Sequence, residues 1–376
     1  MKRLVLALVA LMLWWAPARA TFMPILADQF DEYGVVNPVS ATFGPYRVAA
    51  PSQFQIKSSA SVPWRTGTGY YMEASSGNFF NPGPGAYAYF GNPCQTPAYV
   101  GWVRFVSGSA GAAFLRFDDT VDFRNAPPTL TDLEWLQVTG SGPYSVQILS
   151  FGSTLAGSTG SIFAANTWYL LGWFVRHGVA NSSNPVTQGA TQLQINGSVV
   201  INNTNVLTTG GAVDASDTLV LDDEFSSNNI IDWGPYVYGC VSSPSDMPVA
   251  LHAIILAPTA NGTPLQWTPS TGSNYSNVNG FPAGSGYNYS DTIGDEDIYS
   301  LLYQNFYTPF VTMLAQQSET DSAQGARVGI AIVKSAGGTI TNGGIGLAAQ
   351  NNSSYSFYEW PVTYSAGMSI GMKVQN

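Results

Sequence analysis

Charge is what this sequence has least of. Asp, Glu, Lys and Arg make up 10% of its 376 residues, where ~25% is usual. Lysine occurs only at positions 2, 57, 334 and 373. So few cations build no basic patch, and a net charge of −10 repels phosphates, which excludes nucleic acid as a partner. Histidine is almost as scarce, at His177 and His252 alone. His177 closes an aromatic strand and His252 lies in an apolar run, so each reads as structural rather than as a general base. Zinc needs more His and Cys than the chain holds. No Gly-x-Ser-x-Gly elbow and no glycine-rich phosphate loop occur. A helical apolar period of any length is missing too, and after residue 20 no apolar run is long enough to span a bilayer.

What fills the chain instead is aromatic and β-branched residues set between small turn formers. Aromatics are 13%, hydrophobic residues 45%, with 39 glycines and 23 prolines. That is the composition of an all-β protein with a sizeable core. The clearest stretch is Asn166–Asn205. Trp168–Val175 is a run suited to a strand buried on both faces. A polar loop follows, then Thr191–Ile195 alternates polar and apolar as a half-buried strand does. Asn196–Gly197 is the dipeptide that most readily forms a type I′ hairpin turn. Around a dozen such strands, with turn residues between them, predict a sandwich or barrel. The length suggests two domains.

Residues 1–20 read as a secretory signal. Lys2 and Arg3 are the basic start, Leu4–Trp15 the apolar run, and Ala18 and Ala20 the small residues before a cleavage that would expose Thr21. Met23 is an alternative start. With export inferred, Cys94 and Cys240 are expected to form a disulfide. A polar linker after Cys240 and a change of texture place a boundary near residue 258. The expected layout is a signal at 1–20, a large β-sandwich at 21–258 and a smaller β-domain at 259–376. Within the second unit, 261–300 reads as largely loop, with strands at Phe306–Leu314, Arg327–Lys334, Gly344–Ala349, Tyr355–Val362 and Met368–Val374.

The order of pieces resembles the concanavalin A-like (laminin G-like) jelly-roll domain of phage virion and tail-appendage proteins. Leu26–Gly34 (LADQFDEYG) is similar to that family's opening segment. Arg65–Thr66–Gly67 precedes a strand, Asn166–Tyr169 leads into the central strand, and Leu219–Phe225 (LVLDDEF) resembles the family's Asp-Asp strand. Gln266–Pro269 and Gly294–Tyr299 resemble the second unit that follows in such proteins. The resemblance implies a concanavalin A-like antiparallel sandwich followed by a smaller β-sandwich unit. It implies a non-enzymatic structural or adhesion module, extracellular, on a virion or secreted. Its partners would be other virion or surface proteins and host glycans, in a homo-oligomer in some settings. The virion setting conflicts with a signal peptide, since such proteins are made in the cytosol.

Candidate chemistry was sought against that expectation. Asp132 and Glu134, two apart on a strand, have the spacing of a glycosidase acid pair, but Leu136 and Val138 fill the next same-face positions. A secreted lectin or glycoside hydrolase of the same fold is therefore the alternative, not the first reading. Asp222, Asp223 and Glu224 are adjacent, so on a strand they face opposite ways unless a bulge intervenes. A structural Ca²⁺ is compatible with Asp118, Asp119 and Asp122, or with Asp295, Glu296 and Asp297; no other cofactor is expected. For sugar stacking the candidates are Trp233, Tyr236 and Tyr238 with Asp222, and behind them Tyr70–Tyr71 and Phe79–Phe80. The expectation at this point is of no catalytic residues.

Overall fold

The structure is a computed structural model. It describes residues 22–30, 35–39, 42–43, 46–48, 51–75, 85–107, 112–122, 129–150, 154–178, 189–206, 216–224, 230–252, 258–279, 286–301, 313–318, 328–334, 340–342, 356–361 and 368–375. At some strand positions, among them Asp118, Asp119, Asp122, Asp132 and Asp222, it describes the backbone alone. The expected signal at 1–20, Phe79–Phe80, Gly344–Ala349 and most of Phe306–Leu314 lie outside these residues.

Sixteen strands precede the linker: β1 (Met23–Asp28), β2 (Thr42–Phe43), β3 (Tyr46–Val48), β4 (Phe54–Ser59), β5 (Gly69–Ser75), β6 (Gly85–Cys94), β7 (Pro97–Ser107), β8 (Ala112–Asp122), β9 (Thr129–Thr139), β10 (Ser145–Ser150), β11 (Thr154–Ser158), β12 (Trp168–Arg176), β13 (Gly189–Ile195), β14 (Ser198–Val206), β15 (Ser216–Glu224) and β16 (Ile230–Cys240). They form two eight-stranded sheets. The front sheet runs β14-β13-β12-β7-β16-β5-β4, with β1 also on β16; the back sheet runs β11-β10-β9-β8-β15-β6-β3-β2. Every pairing is antiparallel. The fold is an all-β sandwich of the jelly-roll kind.

Strand periodicity explains the layering. In β7 Tyr99, Val103 and Phe105 face the core between the sheets, as do Leu171, Trp173 and Val175 of β12. Phe117 of the back sheet stacks flat on Trp173 of the front sheet, ring centroids 4.1 Å apart. Such interdigitation of two inner faces is how sandwiches close. The front sheet also buries part of its outer face: Val100, Leu170, Phe174 and Val237 pack under Val241 and Met247 of the segment after β16. This is why Trp168–Val175 is apolar on both sides. The hairpin between β13 and β14 turns at Asn196 (φ 51°) and Gly197 (φ 78°), the two left-handed residues that a type I′ turn requires.

The linker bends back over this sheet. Ser243 caps a short 3₁₀ turn at Pro244–Asp246 and Trp102 Nε1 donates to the Leu251 carbonyl at 3.0 Å. Cys94 and Cys240 are joined by a disulfide. Strands β17 (Pro258–Leu265), β18 (Thr268–Pro269), β19 (Asn288–Tyr289), β20 (Glu296–Leu301), β21 (Met313–Ser318), β22 (Val328–Lys334), β23 (Ile340–Asn342), β24 (Ser356–Pro361) and β25 (Ser369–Gln375) follow. They build a five-stranded sheet, β17-β20-β25-β22-β23, and the ribbons β18-β19 and β21-β24. Residues 261–300 are thus not largely loop. β17 hides its nature because it is an exposed edge strand, and β20 because it begins in an acidic cluster. Asp297 there is buried and fully bonded, accepting from the Gln266 and Trp267 amides, Asn274 and the Tyr299 hydroxyl.

Candidate functional site on the outer face of the front sheet

Beside the covered apolar part of the front sheet lies a polar row. Register aligns it across five strands. Gln55 of β4 pairs with Glu73 of β5, Glu73 with Asp232 of β16, Asp232 with Arg104 of β7, and Arg104 with Trp168 of β12. Each alternates with a core residue: Phe54 and Ile56 flank Gln55, Met72 and Ala74 flank Glu73, Val103 and Phe105 flank Arg104, and Ile231 and Trp233 flank Asp232. The two-residue period of a strand therefore sends the whole row outward. Lys57 and Tyr71, themselves a pair, stand one position along on the same face.

The row is held by short, charge-assisted contacts. Glu73 Oε1 accepts from Lys57 Nζ and from Gln55 Nε2, each at 2.6 Å. Asp232 Oδ2 accepts from Arg104 Nε at 2.6 Å and lies 2.6 Å from its second nitrogen. The Arg104 guanidinium is clasped between rings, 4.7 Å from the centroid of Trp168 and 5.1 Å from that of Tyr71. Trp64 meets Trp168 edge-on at 4.7 Å. Its carbonyl lies 3.3 Å from His252 Nδ1.

Exposure sorts the row into a floor and a surface. The Asp232 and Glu73 side chains are 0% and 7% exposed, and Arg104 and Lys57 19% and 39%. The acids lie beneath and the cations and Trp168 reach solvent. Burial pushes the Asp232 carboxyl up to about 7, against the opposing pull of Arg104. Burial, then the Asp232 charge, raises the Tyr71 phenol. The Asp232–Arg104 pair thus changes its net charge near neutral pH. Two acids, two cations, a phenol and an edge-on pair of indoles within one patch can bind a hydroxyl-rich ligand and move protons on it.

No protein-family model matches the chain, and no curated protein does. Among solved structures it is similar to alginate lyase Aly36B, at 14% identity over 61% of this chain and 100% of that one, TM-score 0.39. It is similar to Trypanosoma rangeli sialidase at 12% identity, over 56% of this chain and 31% of that one, TM-score 0.33. An alginate lyase from Chlorella virus shares 9% identity over 52% of this chain and 93% of that one, TM-score 0.33. These neighbours are named as alginate lyases and a sialidase, none as a virion protein, which stands against the expectation of a non-enzymatic chain without catalytic residues.

The sugar-stacking candidates are corrected by burial. Trp233, Tyr236 and Tyr238 are 0%, 2% and 0% exposed. They lie on the inner face of β16, packed in the core, so no ligand reaches them. Tyr236 shares a hydrogen bond with the Tyr46 hydroxyl, which also donates to Asp28. Asp222 is placed on β15 of the back sheet, its side chain outside the described atoms. Glu134 points between the sheets, beside Leu136 and Val138 rather than into a cleft, and among the described residues neither of its oxygens has a partner. Of the acidic turn at 295–297, Asp295 accepts from Ser290, Glu296 pairs with Lys373, and Asp297 is enclosed by its four donors. Among the described residues no three His, Cys, Asp or Glu side chains gather as metal ligands. No helix of the described residues is long and apolar enough to cross a membrane.

Of the site candidates read from the sequence, Tyr71 is the one described residue that reaches the row. Lys57, Glu73, Arg104 and Asp232 escaped notice because each sits alone in an apolar strand. The readable signal was a lone charge inside FQIKSS, YMEAS, WVRFV or IIDWG in a chain that has so little charge.

Proposed function

We propose that this protein is a glycan-cleaving enzyme whose polysaccharide lies across the outer face of the front sheet. The observation that carries the reading is the register-aligned row Gln55–Glu73–Asp232–Arg104–Trp168. A sheet face that only needed covering would be apolar, as its neighbour under Met247 is. Instead it gathers four of the chain's few charges beside tryptophan and tyrosine rings. Trp168 offers a ring face to a sugar, and Arg104 and Lys57 offer donors to its oxygens. Glu73 and Tyr71, two apart on β5, are the candidate proton-transfer groups. Asp232 touches no substrate; it positions Arg104.

The setting we propose is extracellular, on a secreted protein or an appendage of a virus particle. The Cys94–Cys240 disulfide supports it, since such bonds persist in oxidising compartments.

The test is a screen of the disulfide-intact protein against alginate, neutral β-glucans and sialylated glycans. Hydrolysis is read as new reducing ends or free sialic acid, and elimination as the ultraviolet absorbance of an unsaturated end. Turnover on one of these is expected, and Glu73→Gln and Arg104→Ala should each lower it by about 10²-fold or more with the fold intact. Full activity in both variants would remove the row as the site, and inactivity on every class would remove the enzyme.

A further inference from the structure

The second unit carries a feature that its own packing does not use. Tyr287 and Tyr289 are 50% and 53% exposed. Their rings stand side by side, centroids 6.1 Å apart and planes inclined at 51°. Their spacing on one extended segment puts both on one face. Among the described residues neither phenol hydroxyl has a partner in the chain.

The backbone beneath the rings is braced out of proportion to its length. The Tyr287 amide donates to Ser270 Oγ at 2.9 Å, and the Ser270 amide donates back to the Tyr287 carbonyl at 2.8 Å. Asn277 Nδ2 donates to the same carbonyl and to Asn288 Oδ1. Asn288, between the two tyrosines, points inward and donates to the Asn274 carbonyl at 2.9 Å and the Tyr299 hydroxyl at 2.7 Å. Tyr289 is paired with Thr268 across β18-β19. Two wet aromatic rings on a two-stranded ribbon contribute little to folding, yet their mount is fixed from both sides. Fixing a ring before it binds removes much of the ordering cost of binding.

Charge says what kind of ligand suits them. Asp291 is exposed nearby and Asp295 follows it. The described lysines of this unit are engaged, Lys334 on the Thr263 carbonyl and Lys373 on Glu296. An acidic polymer would meet these carboxylates with no free lysine among the described residues to hold it. A neutral sugar chain would meet two ring faces flanked by hydroxyl and amide groups.

We infer that Tyr287 and Tyr289 form a second glycan-binding platform, separate from the front-sheet row, that takes an uncharged polysaccharide. It holds whether or not the front sheet cleaves glycans. The experiment is affinity electrophoresis of the full chain in native gels containing laminarin, hydroxyethylcellulose or galactomannan, with alginate as the acidic control. Retardation by at least one neutral polymer is expected. Tyr287→Ala/Tyr289→Ala should weaken it about tenfold or more, Tyr287→Phe/Tyr289→Phe should keep most of it, and Leu155→Ala, exposed on the edge strand β11 of the back sheet, should leave it unchanged. No retardation by any neutral polymer, or equal retardation of the double alanine variant, would each overturn the platform. So would a double alanine variant that changes only the sedimentation of the protein, which would make the pair a protein contact.

Discussion

Glu134 is the residue whose environment contradicts its chemistry most openly. It faces the core, opposite Phe117 on one side and Ser150 on the other. Among the described residues neither of its oxygens has a partner, and neither has Ser150 Oγ. Burial alone holds its carboxyl well above the ordinary glutamate value of 4.5. The sign of the linkage follows. Below about 4.5 the group is neutral folded or unfolded, and its proton favours neither state. Above that the unfolded chain releases the proton while the folded one keeps it, so stability falls with pH by up to ~1.4 kcal/mol per unit until the folded group also ionises. Glu134→Met, which fills the same space without a carboxyl, should therefore be more stable than the parent at pH 7. The gain should shrink as the pH is lowered to 4.5. Urea unfolding of both proteins at the two pH values reads this; a gain independent of pH would mean that the carboxylate is hydrated or paired in the fold. Asp232 differs because Arg104 opposes the upward push of burial, which leaves it at about 7, whereas burial alone acts on Glu134.

At the scale of elements, Trp64 supports Trp168 of the row edge-on, and Gly234 is what lets its indole approach β16. A Cβ at residue 234 would stand 2.6 and 2.7 Å from two carbons of the indole and 3.0 Å from Trp102 Cβ. No rotamer of a sheet-bound alanine relieves that, so Gly234→Ala must lift Trp64. We expect a loss of about 1–3 kcal/mol of stability and a red shift of tryptophan emission, together with weaker glycan turnover. A variant that keeps its emission and its turnover would show that Trp64 does not shape the row. Trp168–Val175, the Asn196–Gly197 turn and the β7 and β16 strands could be read from sequence because period and turn chemistry are local. The row could not, because it exists only after five strands from 55 to 232 take their register. The same lack of long-range information misdirected Trp233, Tyr236 and Tyr238. An aromatic run on a strand looks alike whether it faces a sugar or a core, and here alternation gave the rings to the core and Asp232 to the outside. In the second unit, β17 and β20 were missed because an edge strand and an acidic start both imitate loops.

On the scale of the whole molecule, the two sheets share one large core, and a single covalent bond also ties them. Cys94 ends β6 of the back sheet and Cys240 ends β16 of the front sheet. The chain crosses between sheets at the same place, since β7 begins at Pro97 and pairs there with Cys240. Met23 of β1 pairs with Cys240 from the other side. The bond therefore closes the sandwich at the end where β1, β6, β7 and β16 converge. The cysteines are 146 residues apart, and a loop of that size removes enough unfolded-chain entropy to stabilise the fold by about 5 kcal/mol in the chain-entropy picture. Whole-domain stabilities are of order 5–15 kcal/mol, so the bond is a large share of the margin. Cys94→Ser/Cys240→Ser should thus unfold at markedly lower urea than the oxidised parent. Asp232 and Arg104 sit toward the opposite end of β16 and β7, beyond the register shift between Trp233 and Tyr236. Glycan turnover by the double variant at low temperature should for that reason stay within about twofold of the parent, while its thermal midpoint drops. Equal urea midpoints would mean that the core alone sets stability, and a loss of turnover in a still-folded variant would mean that the row is strained from the far end of its strands.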